Sequence, residues 1–473
     1  MSSSNMIRLI RFLTVSLVAF ATCSWAAAQT TTPNPTPTRL TLTQAIAMAD
    51  AHYPRIRAAL EQQNAANGGI SLAKTAYLPR LDTLWQTNRA TANNIYGLLL
   101  PQGVVPSISG PVLAPDDGRS AWSSAGGALL SWQPIDFGLR HAQVNAARAS
   151  ADAAGANLSL TRLDVEVAAA NAYLDLATAR QLAATARANT DRLQVFANSV
   201  HVLVDNQLRP GADAAQADAQ LALARTQAIQ SEAAVRIREA ALANFLGISA
   251  SGINLDDAPL LASSPEDFTT AQAITNHPAA KQEAALVSQQ RAELAELTHS
   301  YVPQFNAQAA VSGRGAGTSL SGIFPGGTTG LAPNTMNWAV GIQMTFPVFD
   351  IFSLHDRKKI QEANLRAEQA RYEQTTDDLS AQVVEAEAQL AGARQVAQNT
   401  PIEVTAARES ESQQRARFQS GLATVVDVAT TESVLVQAES DDAVARLNTW
   451  RAFAAVAAAR GDLALFLAHL SKQ

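Results

Sequence analysis

Two stretches in the second half of the chain, residues 305–311 and 338–346, alternate between apolar side chains and polar or small ones. Weaker versions of the pattern occupy residues 81–90 and 121–132. A period of two residues predicts β-strands, and each stretch approaches the roughly 9–11 residues of a tilted membrane-spanning strand. The alternation also fits a soluble hairpin with one wet face, so both interpretations stay open at this point.

A long helical segment follows each pair of predicted strands. From Val165 onward, two series of positions spaced seven residues apart are apolar with a single exception, the signature of a coiled-coil seam. The positions are Val165, Ala172, Ala179, Ala186, Leu193, Val200, and Ala169, Leu176, Ala183, Thr190, Ala197, Val204. A helix over residues 140–206 would be roughly 100 Å long, which is too long for one compact domain.

Each long helix is interrupted by residues that disfavour helical structure. Pro210 and Gly211 interrupt the first, and Gly421 interrupts the second. Further helical segments run on to Gly247 and to Gly461. Two long neighbouring helices joined by a tight turn predict an antiparallel hairpin with a closed tip.

The chain contains this unit twice. Tyr77-Leu-Pro79 reappears as Tyr301-Val-Pro303, and the segment ending at Asp213 reappears, at a slightly smaller offset, as the one ending at Asp427. We predict a first repeat at 41–255, a linker at 256–269, a second repeat at 270–465 and a C-terminal tail at 466–473. Each repeat is predicted to contain, in order, a helix, a strand, a loop, a strand, a long helix, a turn and a helix. The two loops lie at 93–120 and 313–334. Thr43 is the predicted N-cap of the first helix.

The first 28 residues resemble a secretory signal peptide. Arg8 and Arg11 precede an apolar run at 12–21 that is too short to span a membrane, and Ala26 to Ala28 form a small-residue cleavage site. A Thr/Pro-rich N-terminal segment follows at 29–40, and its Thr/Pro run at 30–38 suits an extended chain. The one cysteine, Cys23, lies within the signal in a poor context for lipidation, so we expect no disulfide or thiol chemistry in the mature protein.

Composition narrows the possible functions further. A net charge of −6 and a pI near 5.7 argue against nucleic-acid binding. The residues are 47% hydrophobic but only 5% aromatic, which favours closely packed helices over a thick core. The seven histidines lack partners at metal-ligand spacing, and we find no nucleophile or cofactor loop. We therefore expect no catalytic residue, no metal site and no cofactor.

Four strands cannot close a membrane barrel by themselves, because the smallest barrels have about eight strands and open edges are disfavoured in lipid. Three copies would supply twelve. The sequence thus predicts an α+β membrane protein: a tandem-duplicated protomer with four transmembrane β-strands and long periplasmic coiled-coil helices. Three protomers would form a 12-stranded β-barrel in the bacterial outer membrane, continuous with an α-helical barrel in the periplasm.

The order and double occurrence of these segments resemble the TolC family of outer membrane efflux proteins. The motifs on which this resemblance rests are the two Tyr-x-Pro segments at the strand starts, Pro-Ile-Asp-Phe-Gly-Leu-Arg140, Phe-Pro-Val-Phe-Asp350 and the segment 418–428. The resemblance implies a homotrimeric channel in outer membrane lipid, the passive exit duct of a tripartite efflux or secretion system. Its partners would be a periplasmic adaptor (membrane fusion) protein and an inner membrane pump of RND or ABC type. A periplasmic coiled-coil adaptor or scaffold without its own pore is the alternative.

The resemblance also places the hairpin turns, marked by Pro210, Gly211 and Gly421, near the periplasmic tip. There Asp427 would contribute to a ring of three pore-facing carboxylates, and Asp213 is its counterpart in the first repeat. Like charges held so close favour cations, which gives such a ring cation selectivity. Capping of the restarting helices is the alternative role of both aspartates.

The chain departs from the family pattern at this gate. Ala423 stands where an arginine is expected, Thr430 where a second aspartate is expected, and Phe418 where a tyrosine is expected. Arg209, beside Asp213, is a candidate for replacing the missing cation.

Three tryptophans lie near the ends of predicted strands: Trp122, Trp132 and Trp338. Tryptophan is enriched where a membrane meets water, so we predict that they are interfacial aromatics. Packing in a protein core is the alternative.

Overall fold

The computed structural model describes residues 39–91, 120–250, 252–262, 273–317, 326–346 and 348–470. Arg39–Gln473 form one compact unit. The predicted signal peptide, residues 29–38 and nearly all of the predicted loop at 93–120 lie outside the described residues.

Helices and strands follow one another in the same order in both halves. The first half contains α1 (Leu42–His52), α2 (Pro54–Thr75), β1 (Arg80–Thr91), β2 (Ser120–Ile135), α3 (Leu139–Asp205) and α4 (Gly211–Leu246). The second contains α5 (Ala258–Ala262), a 3-10 turn (Ile274–Asn276), α6 (Pro278–His299), β3 (Gln304–Ala316), β4 (Thr335–Thr345), α7 (Asp350–Gln419), α8 (Val425–Ala459) and α9 (Ala464–Leu470).

The N-cap of the first helix lies two residues before the predicted one. Thr41, not Thr43, is the N-cap, because Gln44 lies three residues after it and completes a capping box. The Thr41 hydroxyl accepts from the Gln44 N–H at 3.2 Å, and the Gln44 side chain accepts from the Thr41 N–H at 3.2 Å. The expected break at Pro54 is present, with Tyr53 extended between α1 and α2.

The four strands form one antiparallel sheet in the order β1-β2-β3-β4. Leu81, Leu130, Ala309 and Val340 are aligned in one row across all four strands. The predicted strands are confirmed, although β3 extends to Ala316, so the predicted loop at 313–334 begins four residues too early. Among the residues that the structure describes, β1 and β4 each pair on one side only.

One face of the sheet is apolar and exposed to solvent in the protomer. Its exposed members are Leu81, Trp85, Leu130, Trp132, Val311, Met336, Trp338, Val340, Ile342 and Met344. The side chain of Trp338 is 80% exposed and that of Val340 71% exposed. The opposite face carries the polar residues Asn306, Gln308 and Gln343 together with a small buried apolar cluster, Ala125 and Leu129 with Leu84 and Ala310.

The helical part is built on two long antiparallel hairpins. Helix α3 has 67 residues and α7 has 70, so each is roughly 100 Å long. They return as α4 and α8, with 36 and 35 residues. Nine of the twelve predicted seam positions on α3 are buried, and Ala172, Thr190 and Val204 are half-buried. No helix in the described part of the chain is both long and apolar enough to cross a membrane.

Three segments that flank the predicted repeats pack into a core around the middle of the long helices. The Tyr173 hydroxyl donates to the Leu40 carbonyl at 2.9 Å, and Trp450 Nε1 donates to the Leu260 carbonyl at 2.9 Å. Phe466 is fully buried beside Trp450. Leu40, the part of the predicted linker at 256–262 and the part of the predicted tail at 466–470 therefore pack against the long helices in the described part of the chain. Each segment covers a large aromatic side chain whose polar atom needs a partner when buried.

Candidate gate at the hairpin tips

Both long helices end in the same turn. Gln207 and Gly421 occupy equivalent positions with φ of 60° and 79°. The Leu208 N–H donates to the Leu203 carbonyl at 2.8 Å, and the Leu422 N–H donates to the Arg417 carbonyl at 2.8 Å. The left-handed conformation costs a non-glycine residue about 1 kcal/mol, so the turn in the first repeat is the more strained.

Asp427 closes a capping box at the start of α8. Its carboxylate accepts from the Thr424 N–H and from the Thr424 hydroxyl, each at 2.8 Å. These bonds, with the backbone N–H contributing most, lower the pKa of Asp427. The side chain is exposed, so the residue carries a fixed negative charge at the tip. Capping and a pore-facing charge are therefore compatible at this position.

Asp213 has the same position in α4 but different contacts. Pro210, the N-cap, has no N–H and no side-chain acceptor, and no side-chain capping bond forms there. The Asp213 carboxylate instead lies 3.5 Å from Arg209 Nη1. The alternative role of Asp213 as a helix cap does not take the form of a reciprocal capping box, because proline removes the partner that such a box needs. Gly211 follows as the first residue of α4.

Arg209 connects the two hairpins of one protomer. Its Nη2 donates to the Phe418 carbonyl at 3.2 Å and to the Ala423 carbonyl at 3.1 Å. Its guanidinium also lies 4.5 Å from the centroid of the Phe418 ring. In the alignment of the two repeats, Arg209 is the counterpart of Ala423, so the cation absent from the second repeat is present at the matching position of the first.

Phe418 lies inside the protomer. Its side chain is only 3% exposed and its ring meets that of Phe196 edge to face, with centroids 5.1 Å apart. Val200 of α3 and Val425 and Val428 of α8 belong to the same buried cluster. Phe418 therefore contributes packing between the hairpins.

A network of charged side chains, not predicted from the sequence, lies next to this cluster and farther from the tip along α8. Glu432 of α8 is 1% exposed; it accepts from Arg192 Nε of α3 and lies 3.4 Å from Arg415 Nη2 of α7. Glu439 accepts from Arg192 Nη2 at 3.2 Å and from Arg408 Nη2 at 3.1 Å. Three helices from both repeats are thus joined by paired charges.

Burial raises the pKa of Glu432, and the hydrogen bond from Arg192 opposes this increase. One signal in the sequence could have revealed the site. Val425, Val428 and Leu435 form an apolar stripe at helical spacing, and Glu432 interrupts it with a charge. A charge in a buried stripe requires a partner on a neighbouring element.

The three predicted interfacial tryptophans lie in different surroundings on the sheet. Trp338 is the most exposed; Trp132 is half-exposed and donates from Nε1 to the Tyr77 carbonyl at 3.2 Å. Trp122 is half-buried, with Arg89 5.2 Å from its ring centroid. Trp85, which the sequence analysis did not select, is exposed on the same apolar face and lies over Gly126, where a Cβ would be 2.5 Å from the indole.

Comparisons with known proteins agree with this geometry. The family model described as outer membrane efflux protein matches residues 45–248 and 270–462. Protein CyaE of Bordetella pertussis is 26% identical over 356 residues, which cover 74% of this chain and 69% of that protein.

Two solved structures share the fold. CusC has a TM-score of 0.73 at 14% identity, covering 89% of this chain and 92% of that one. The outer membrane protein VceC from Vibrio cholerae has a TM-score of 0.70 at 18% identity, covering 89% of this chain and 96% of that one. Because the family model matches most of the chain, in both halves, this protein belongs to the outer membrane efflux protein family.

Proposed function

We propose that three copies of this chain close a 12-stranded β-barrel in the outer membrane and form a passive exit duct for efflux or secretion. One observation carries the proposal: the four-stranded sheet has an exposed apolar face, an opposite face with polar residues, and two edges that are unpaired among the described residues of the protomer. An apolar outer face with a polar inner face is the pattern of a membrane barrel.

The edges of the sheet support assembly by strand pairing. β1 has 12 residues and β4 has 11, so β4 of one copy and β1 of the next match in length. Unpaired backbone groups in lipid cost several kcal/mol each, and pairing around a closed ring removes that cost. The long hairpins then extend roughly 100 Å from the sheet into the periplasm and continue the duct.

The hairpin tips form the gate of this duct in our proposal. Three exposed Asp427 carboxylates, whose lowered pKa further favours the ionised form, would give the narrow end a preference for cations. Arg209 joins the two tips of each protomer through its contacts with Phe418 and Ala423, and Asp213 lies 3.5 Å from Arg209 within the first tip. A periplasmic adaptor would bind the helical barrel, and an inner membrane pump of RND or ABC type would supply the energy.

Strand pairing between copies can be tested with engineered cysteines, since the sequence has a single cysteine, Cys23. Thr83→Cys on β1 is combined in turn with a cysteine at each outward position of β4. These positions are Met336, Trp338, Val340, Ile342 and Met344. At the positions in register, oxidation should give covalent dimers and trimers of the detergent-extracted protein.

The matched control is Thr83→Cys with Ala128→Cys, which are directly opposite each other within one protomer. This pair should form a disulfide without increasing the molecular mass. Recovery of a monomer in the soluble periplasmic fraction, with no intermolecular disulfide at any β4 position, would refute the duct and favour the scaffold alternative.

A further inference from the structure

Polar side chains meet on the polar face of the sheet, at the end farthest from the helices. Each strand contributes one: Asn88, Ser123, Arg314 and Asn337. Asn88 is directly opposite Ser123. Arg314 is directly opposite Ala125 on β2 and Thr335 on β4. Ser123 and Asn337 lie two residues from these partners along the same strands, so each is a diagonal neighbour of Arg314. Diagonal neighbours lie about 7–8 Å apart, within reach of a long side chain.

Several polar atoms of this cluster are buried and lack a partner. Ser123 is 7% exposed, and Ser312, directly opposite Asn337, is 3% exposed. Arg314 Nη1, Asn337 Nδ2 and Ser123 Oγ have no hydrogen-bond partner within the described part of the chain. Leaving one buried donor unsatisfied costs about 1–3 kcal/mol, so three on adjacent strands indicate a ligand that supplies acceptors.

The backbone around Arg314 is held on both sides. Its carbonyl accepts from the Asn334 N–H at 2.9 Å, and the nearby Gly317 N–H donates to the Trp122 carbonyl at 2.8 Å. At Gly315 a Cβ would lie 2.2 Å from the Ala332 carbonyl oxygen, so only glycine permits this approach. The guanidinium is therefore attached to a fixed backbone.

We propose that this cluster is a binding site for a small soluble anion that carries a phosphate, sulfate or carboxylate group. The guanidinium is a permanently charged fork of N–H donors that matches such oxyanions, and the serine and asparagine add uncharged donors. Asp82 is the one acidic residue in the four strands; it lies near the other end of the sheet, 3.0 Å from Arg80. Arg314 thus has no carboxylate to neutralise it on these strands.

The ligand is a soluble anion and not a lipid headgroup because the cluster lies on the polar face, opposite the exposed apolar one. Binding requires a single protomer. In the proposed trimer, three Arg314 residues would form a cationic ring at the outer mouth of the duct, opposite in charge to the aspartates at the periplasmic tip. This placement, unlike the binding itself, rests on the proposed function.

The test is a calorimetric titration of the full detergent-purified protein with inorganic phosphate at constant ionic strength. We expect one phosphate per protomer. Arg314→Gln should weaken binding about ten- to hundredfold, the effect of losing hydrogen bonds from a charged group, and Ser123→Ala about two- to tenfold. Arg80→Gln removes the same charge at the opposite end of the sheet and should leave phosphate affinity unchanged.

Absence of phosphate binding by the unsubstituted protein, or equal losses in Arg314→Gln and Arg80→Gln, would overturn the site. If Arg314→Gln does not fold, an unchanged affinity in Ser123→Ala overturns it equally. Phosphate binding without any intermolecular disulfide from the Thr83 series would refute the trimeric duct and leave the anion site standing; the reverse result would refute the site alone.

Discussion

The guanidinium of Arg209 lies 4.5 Å from the ring centroid of Phe418, which belongs to the other helical hairpin. The same guanidinium donates to two carbonyls at the end of that hairpin. One side chain therefore bonds the second tip to the first through both charge and packing. If the tips form the gate, removing this side chain should loosen the closed state.

Arg209→Gln should increase the leak conductance of the closed channel in planar bilayers. The substitution removes charge-assisted hydrogen bonds between the hairpins, a loss of about 1–3 kcal/mol. Arg225→Gln is the matched control, because Arg225 bonds to Gln194 within one hairpin. Equal leak in both variants would show that the contact between hairpins does not hold the gate closed.

Asp427→Asn should reduce the cation preference of the channel, measured as a reversal potential in asymmetric salt. Thr424→Val separates charge from capping, because it removes the hydroxyl of the capping box and leaves the carboxylate in place. That variant should lose about 1 kcal/mol of stability and keep its ion selectivity. Unchanged selectivity in Asp427→Asn would remove this residue from the pore.

The tip of the first hairpin should be more stable at acidic pH. His201 Nε2 lies 2.9 Å from the Asp218 carboxylate of the returning helix, and this hydrogen bond raises the pKa of His201 above its ordinary value. The stabilisation is complete below the unfolded-state pKa and is lost as pH rises through the higher folded-state pKa. Hydrogen exchange of tip amides should therefore be slower at about pH 5.5 than at about pH 8.5, after correction for intrinsic rates.

His201→Gln should abolish that difference, whereas His141→Gln, near the sheet end of α3, should leave it intact. An equal pH dependence in the His201 variant would mean that another group controls the tip.

Glu432→Ala should be among the most destabilising single substitutions in the helical part. It leaves Arg192 and Arg415 without their shared carboxylate, and breaking a buried ion pair from one side costs about 3–5 kcal/mol. The double variant Arg192→Met with Glu432→Leu should recover part of this loss, since paired apolar replacements tolerate burial. Urea unfolding followed by circular dichroism measures both, and a double variant no more stable than Glu432→Ala would contradict the pairing.

The sequence predicted those features whose signal is local or repeated. Strands at Phe305 and Trp338 were predictable because alternation has the period of the pleat, and Arg209 was a candidate because it lies beside Asp213 at a duplicated turn. The bond between Arg192 and Glu432 joins residues 240 positions apart, so no local pattern reports it. Phe466 was assigned to a tail because a short apolar segment after Gly461 gives no indication of what it covers.

The orientation of the sheet in lipid can be tested by placing the same charge on one face or the other of a single strand. Val340 is exposed on the apolar face of β4, whereas Gln343 lies on the opposite face of the same strand. If the apolar face contacts lipid, Val340→Arg should cost about 2–4 kcal/mol near the middle of the membrane, because the charge enters hydrocarbon. Gln343→Arg places the same charge toward water and should cost little. Heat-resistant trimer recovered from outer membranes measures both, and equal yields from the two variants would mean that neither face of β4 is buried in lipid.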